Sequence, residues 1–228
     1  MSFPSTRRLL EQLISIPSVN PDGDPGTLHT GEKQIADFLS IQLRKCGAKV
    51  KTKAVKPDRP NLFARFPIRK KPLKKILFAP HSDTVSVVGM TVDPFKPVLR
   101  QGKLYGRGAS DTKGPMAAMI TALAEVTRQS DYYNGNIEFH FAAFMGEETG
   151  CVGAKAFASS GEASNFDFAV IAEPTEFKIV HAHKGCLWAR IDVPGRAAHA
   201  SISNPVENAI FKAGRVLIAL EDELIPWL

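Results

Sequence analysis

Apolar positions fall in two patterns along the chain: short continuous runs, and longer segments striped at helical spacing. After Ser5, a residue suited to an N-cap, Leu9, Leu10, Leu13 and Ile14 lie on one face and predict a helix ending near Ile14. Residues 17–26 are rich in Pro, Gly, Asp and Asn and read as loop. A second helix is predicted from Thr30, with Ile35, Phe38, Leu39 and Leu43 as its stripe and Gly47 as its stop. Residues 48–55 and 61–66 read as strands. The run 76–79, bounded by Lys74-Lys75 and Pro80, reads as a short buried strand. Residues 113–129 form a third helix whose Met116, Met119, Ile120, Leu123 and Val126 are taken as core rather than as a binding face. Strands at 137–144 and 168–172 flank a short helix at 150–159.

The character of the chain changes near Ile179. Residues 181–193 alternate weakly and read as a strand, 195–201 as a turn, and Pro205 opens a helix striped by Val206, Ala209, Ile210, Ala213, Val216, Leu217 and Leu220. A strand, a turn and a helix cannot bury both faces alone. Residues 1–180 are therefore expected to form an α/β domain, and 181–228 to begin a second one.

Composition narrows the class. An apolar content of 44% over 228 residues suffices for a sizeable core and argues against disorder. Cys46, Cys151 and Cys186 are far apart and odd in number, which fits a reducing compartment and small core fillers. The amino terminus does not read as a signal peptide and no apolar run approaches the roughly 20 residues of a membrane span, so a soluble cytoplasmic protein with no signal peptide and no membrane partner is expected. Much of the net charge of +6 sits in Lys51, Lys53, Lys56 and the run 69–75. Such charge can attract nucleic acid or an anionic substrate. Without an interleaved aromatic platform or a nucleic-acid motif it reads instead as a solvated hairpin connection, and no nucleic-acid partner is expected.

The candidate chemistry gathers at the ends of the apolar strands. His81 and Asp83 follow the strand at 76–79; Asp111 follows the Gly106-Arg107-Gly108 turn. Glu147-Glu148 follow the strand at 137–144, and Glu173 follows the strand at 168–172. Open α/β sheets place their ligand crevice at the carboxyl edge. Residues i and i+2 of an extended segment point to one side, so Asp83 can hold one imidazole nitrogen of His81 while the other binds metal. One imidazole with several carboxylates suits zinc, cobalt or manganese. His140, inside a strand, reads as a satisfied core histidine; His29, His181 and His183 read as structural or solvent-facing.

Four stretches, His81-Ser-Asp-Thr-Val, Gly106-Arg-Gly-Ala-Ser-Asp-Thr-Lys-Gly-Pro-Met, Gly146-Glu-Glu-Thr-Gly and Ala172-Glu-Pro-Thr, resemble the dinuclear zinc amidohydrolases and peptidases. That family includes acetylornithine deacetylase, succinyl-diaminopimelate desuccinylase, carboxypeptidase G and aminoacylase. The resemblance implies a mixed sheet flanked by helices, as in zinc aminopeptidases, followed by the beginning of a smaller α+β lid or dimerisation domain. It implies that Asp111 bridges two metals, with His81 and Glu173 on one and Glu148 on the other. It implies Glu147 as the general base toward the attacking water, Asp83 as the partner of His81, and a cis peptide at Asp111–Thr112. His199 would polarise the scissile carbonyl from a partner copy, in a homodimer formed when the lid is complete.

Family members are longer and supply a further histidine ligand, so the chain is expected to be truncated and to bind about one metal rather than two. The function implied is metal-dependent cleavage of an amide bond in an N-acyl amino acid or small peptide, most like acetylornithine deacetylation. The alternatives are a desuccinylase, a dipeptidase, or a non-catalytic remnant serving as a binding or assembly subunit.

Overall fold

The computed structural model describes residues 3–24, 30–185, 189–197, 199, 201 and 207–227. The chain divides into two compact units, Met1–Ile179 and Val180–Leu228. The first contains helices α1 (Thr6–Ile14), α2 (Lys33–Lys45), α3 (Lys113–Val126), α4 (Ser130–Asn134) and α5 (Val152–Ser159). Its strands are β1 (Lys49–Lys56), β2 (Arg59–Phe66), β3 (Lys74–Ala79), β4 (Val98–Arg100), β5 (Lys103–Tyr105), β6 (Ile137–Ala143) and β7 (Phe168–Ile171).

Five strands form one mixed sheet in the order β1-β2-β6-β3-β7. β1 and β2 make an antiparallel hairpin, and β2 runs antiparallel to β6. β6, β3 and β7 are parallel, with Ile76 registered against Phe139 on one side and Phe168 on the other. The expected α/β class, a mixed sheet flanked by helices, is the observed one. The three parallel strands end at the same edge, which decides where the chemistry lies.

Strand periodicity distributes the core to both faces. Leu62, Ala64 and Phe66 of β2 and Phe141 and Ala143 of β6 pack with Leu9 and Leu13 of α1, Ile35, Leu39 and Leu43 of α2, and Met116 and Ile120 of α3. Met116, Ile120 and Leu123 of the α3 stripe are thus core and Met119 packs against it, whereas Val126, the last residue of the helix, is exposed. The alternate residues, Leu77, Ala79, Ala142 and Phe144, pack on the other face with Phe157 of α5 and with Phe63 and Phe166. Lys51 and Lys53 lie exposed on the outer strand β1, where lysines discourage further strand pairing.

Several elements differ from expectation. The basic run 69–75 does not join neighbouring strands, because β6 lies between β2 and β3. The β4–β5 hairpin turns on Gln101 and Gly102, both with positive φ. Thr30 does not open α2; its N-cap is Glu32, whose side chain is committed elsewhere. In the second unit no strand is present among the described residues of 181–193. Its helix α6 (Ala209–Ala219) is capped by the Asn208 side chain, which accepts from the N–H groups of Ile210 and Phe211. The predicted opening at Pro205 and Val206, like His29 and Cys186, lies outside the described residues. Among the described residues no helix is long and apolar enough to cross a membrane.

One polar cluster crosses the core. Glu32 is fully buried and pairs through both oxygens with Arg59, at 2.7 Å each. Arg59 also donates to Asp22 at 2.7 Å, and Glu32 accepts the Gly146 N–H at 3.2 Å. Removing one partner of a buried pair leaves an uncompensated charge, whereas replacing both with apolar groups removes the problem. Arg59→Met is therefore expected to lower stability by about 3–5 kcal/mol, and the pair Arg59→Met with Glu32→Leu to recover a large part of that. Urea unfolding of the three proteins checks this.

Candidate metal centre

The ladder between β3 and β6 continues one step past both strands. Phe144 N–H donates to Pro80 O at 3.0 Å, Ser82 N–H donates to Phe144 O at 2.8 Å, and His81 bridges Phe144. This carries His81 and Asp83 to the carboxyl edge in extended backbone. Asp111 arrives through the Gly106-Arg107-Gly108 turn. At Gly108, φ is +80° and a Cβ would press on the side chains of Lys113 and Thr84, so only glycine fits. Thr112 is buried and its hydroxyl donates to Ala172 O at 3.0 Å, which seats the turn against the end of β7, just before Glu173. The Asp111–Thr112 peptide is cis, as the resemblance implies.

Two groups of possible ligand atoms result. Those of His81, Asp111 and Glu173 lie within 4.8 Å of one another, and so do those of His81, Glu147 and Glu148. His81 is common to both. Its Nδ1–H donates to the Asp83 carbonyl at 3.0 Å and lies 3.4 Å from the Asp83 carboxylate. Its Nε2–H donates to Asp111 Oδ1 at 2.9 Å. The imidazole is buried, Glu147 and Glu148 are half-buried, and Glu173 is exposed.

The Glu147-Glu148 loop is fixed from behind. Asp83 Oδ1 accepts the Glu147 N–H at 2.9 Å, and Oδ2 accepts the Glu148 N–H at 3.1 Å and the Asn20 amide at 2.6 Å. Asn61 closes the same loop at its base: its oxygen accepts from Met145 N–H and its amide donates to Gly153 O. With the backbone N–H groups of the glutamates committed to Asp83, their carboxylates are left for the crevice. Sequence reading missed Asn20, Glu32, Arg59 and Asn61; an Asn beside a loop or in a strand carries no periodic signal. It also took Cys151 for a core filler. Cys151 is half-buried and its thiol donates to Glu147 Oε1 at 3.5 Å. Cys46 is a core thiol, pushed up to about 11 by burial.

The electrostatics are those of crowded anions around one cation. Burial, then the Asp111 charge, pushes Glu148 up to about 7. Glu173, an exposed residue whose carboxylate is partly desolvated by its neighbours, is raised mainly by that desolvation, with Asp111 adding to it. Burial alone would lower His81, but its hydrogen bonds to Asp111 and Asp83 raise it to about 11. Burial likewise opposes ionisation of Asp83, but His81 and the N–H donors hold its carboxyl below the usual range. Lys113, buried with its ammonium on Ile16 O at 2.7 Å, is pushed down to about 7 by burial.

The donor set fits a divalent cation. Hard oxygens and one imidazole converge, the imidazole has its second nitrogen anchored, and the acids whose ionisation is opposed by neighbours would be relieved by positive charge.

The other described histidines belong to neither ligand group. His140 Nε2 lies 2.8 Å from Glu138 and its ring packs against Phe166. Burial holds its pKa low despite that carboxylate. His181 and His183 are exposed. His199, in the second unit, is exposed and its Nδ1 lies 2.8 Å from the Ser201 hydroxyl.

Residues 77–218 match Peptidase family M20/M25/M40. A probable succinyl-diaminopimelate desuccinylase of Staphylococcus aureus is 32% identical over 191 residues, covering 81% of this chain and 46% of that protein. An acetylornithine deacetylase of Buchnera aphidicola is 33% identical over 202 residues, covering 87% of this chain and 50% of its own length. Among solved structures, an M20 family metallo-carboxypeptidase from Sulfolobus solfataricus superposes with a TM-score of 0.59 at 22% identity, covering 74% of this chain and 37% of that one. The chain thus spans about half the length of the curated relatives it matches. With the family match extending from β3 into α6, the chain belongs to Peptidase family M20/M25/M40.

Proposed function

We propose that this chain carries the metal-binding catalytic core of an amidohydrolase that removes an acyl group from the nitrogen of an amino acid. The observation that carries the reading is the convergence of His81, Asp111 and Glu173 at one sheet edge, with Glu147 and Glu148 on the other side of the same imidazole. The two curated relatives described above are named for acyl groups on amino-acid amines, which supports this substrate class. The names divide between acetyl and succinyl groups; acetylornithine deacetylation is the preferred assignment, with desuccinylase and dipeptidase activities as alternatives.

In this proposal His81, Asp111 and Glu173 hold one divalent cation, preferentially zinc, and Asp111 turns its second oxygen toward Glu148. The cation, when bound, supplies Lewis-acid chemistry: it polarises a carbonyl and makes water easier to deprotonate. Glu147 takes the proton from the attacking water and returns it to the leaving nitrogen. Its place is set by the Asp83–N–H bond behind it and by the Cys151 thiol at its carboxylate. Asp83 keeps the His81 Nδ1 proton in place, so that Nε2 is the nitrogen that faces the ligand. His199, exposed in the second unit, polarises the scissile carbonyl from a partner copy in a homodimer. Residues 1–180 are assigned to the catalytic domain and 181–228 to the beginning of the lid.

Since both ligand groups draw on one imidazole, the 228-residue chain is expected to take up about one zinc ion. Asp111→Ala removes the acid that touches His81 and is expected to abolish that uptake. Metal analysis after dialysis checks both; undiminished zinc in the mutant removes Asp111 from the site.

Uptake should also depend on pH in a defined direction. His81, raised to about 11, and Glu148, raised to about 7, hold protons in the metal-free protein that a cation displaces. Binding releases protons, so affinity rises with pH; near neutrality roughly one proton from His81 and a fraction from Glu148 should appear per ion. Calorimetry in buffers of different ionisation enthalpy measures this.

The activity itself is tested on N-acetyl and N-succinyl amino acids, with the chain alone and joined to the remainder of a longer relative. Glu147→Gln is expected to retain metal and to lose about a hundredfold or more in turnover, because the amide cannot accept a proton. A metal-loaded chain without turnover in either form would favour a binding or assembly subunit.

A further inference from the structure

We propose that Asn20 is a positioning residue of this centre: by clamping the Asp83 carboxylate it sets both the His81 imidazole and the Glu147-Glu148 loop. The proposal rests on the metal-binding reading above. Asn20 is 1% exposed, yet it belongs to no apolar cluster. Its side chain makes three hydrogen bonds. Its Nδ2 donates to Asp83 Oδ2 at 2.6 Å and to Thr149 Oγ1 at 3.0 Å, and its Oδ1 accepts from Asp22 N–H at 2.9 Å.

These partners fix which way the amide faces. An ionised carboxylate only accepts and a backbone N–H only donates, so a flipped amide would lose both bonds. The backbone of Asn20 is equally constrained. Its N–H donates to Thr84 O at 2.8 Å, Thr84 N–H donates to Ser18 O at 3.0 Å, and Val19 bridges both Thr84 and Thr30. Asn20 is therefore a rigid donor aimed at Asp83 from the N-terminal loop.

The consequence passes through two further bonds. Asp83 Oδ2 is shared between Asn20 and the Glu148 N–H, while Oδ1 faces the Glu147 N–H and the His81 ring. Without the amide, Oδ2 loses its shortest donor and the carboxylate is free to turn about its Cβ–Cγ bond. The imidazole orientation and the glutamate loop then lose a common reference. Loss of a group that orients a metal-ligating histidine costs about 10- to 100-fold in metal affinity.

The test uses Co²⁺ as the probe, titrated into the metal-free 228-residue protein and read by its visible d–d absorption, with thermal unfolding of each metal-free variant alongside. Asn20→Ala removes the donor. Asn20→Asp keeps the size and the contact with Asp22 but presents an acceptor to Asp83. Both are expected to weaken Co²⁺ binding about tenfold or more and to alter the d–d spectrum, while Thr149→Val, which removes the other acceptor, stays within about threefold of wild type. Wild-type affinity and an unchanged spectrum in both Asn20 variants overturn the proposal while leaving the metal site standing. So does a loss of affinity that only follows a lowered unfolding temperature without spectral change. If Asn20→Ala does not fold, Asn20→Asp decides; if neither folds, Asn20 is a structural residue and the proposal fails. A wild-type chain that takes up no Co²⁺ removes the metal reading, and this inference with it.

Discussion

The site depends on one buried anion. Asp83 is 1% exposed, and an isolated carboxylate at that depth costs several kcal/mol unless donors surround it. It is satisfied by two backbone N–H groups of the glutamate loop, one amide from the N-terminal loop, and the imidazole beside it. Satisfying Asp83 and shaping the centre are thus the same event. The loop has to approach until its N–H groups reach the carboxylate, and that approach puts Glu147 and Glu148 beside His81.

Around that joint the sheet supplies convergence and the acids supply the demand for a cation. Parallel pairing of β6, β3 and β7 brings three strand ends to one edge, although their residues are far apart in sequence. An antiparallel β3 would have sent His81 to the opposite edge from Glu147. Partial desolvation raises Glu148 and Glu173, and the repulsion of acids drawn together there adds to it. A fold that needed only stability would not gather them.

Most of the architecture was legible because it follows periodicity. The stripes of α1, α2 and α3 and the apolar runs of β3 and β6 each report one buried face, and burial is what a pattern records; the apolar run of β7 marked a strand too, although Phe168 and Ile171 are exposed. The strand ends carrying His81, Asp83, Glu147, Glu148 and Glu173 were legible for the same reason. Other features rest on partners distant in the chain. Glu32 lies in the stretch that periodicity marks only as the start of a helix, but its partner Arg59 opens a different element and its third contact is Gly146. Asn20 lies in a stretch whose Pro and Gly content reads simply as loop. The β4–β5 hairpin has an exposed, uninformative composition, and its Gln101-Gly102 turn is a weak signal. The weak alternation in 181–193 had no partner strand to stabilise it among the described residues, and alternation alone does not make a strand.

The ties behind the glutamate loop span long stretches of chain. Glu147 reaches Asp83 across 64 residues, Gly146 reaches Glu32 across 114, and Gly153 reaches Asn61 across 92. Contacts so far apart form only after large loops have closed, and entropy opposes each closure until the sheet is largely assembled. The centre therefore takes its shape only once the sheet has brought these segments together. A nascent or partly unfolded chain has the residues of a metal site without the site, and stray metal ions meet only scattered ligands until those segments meet.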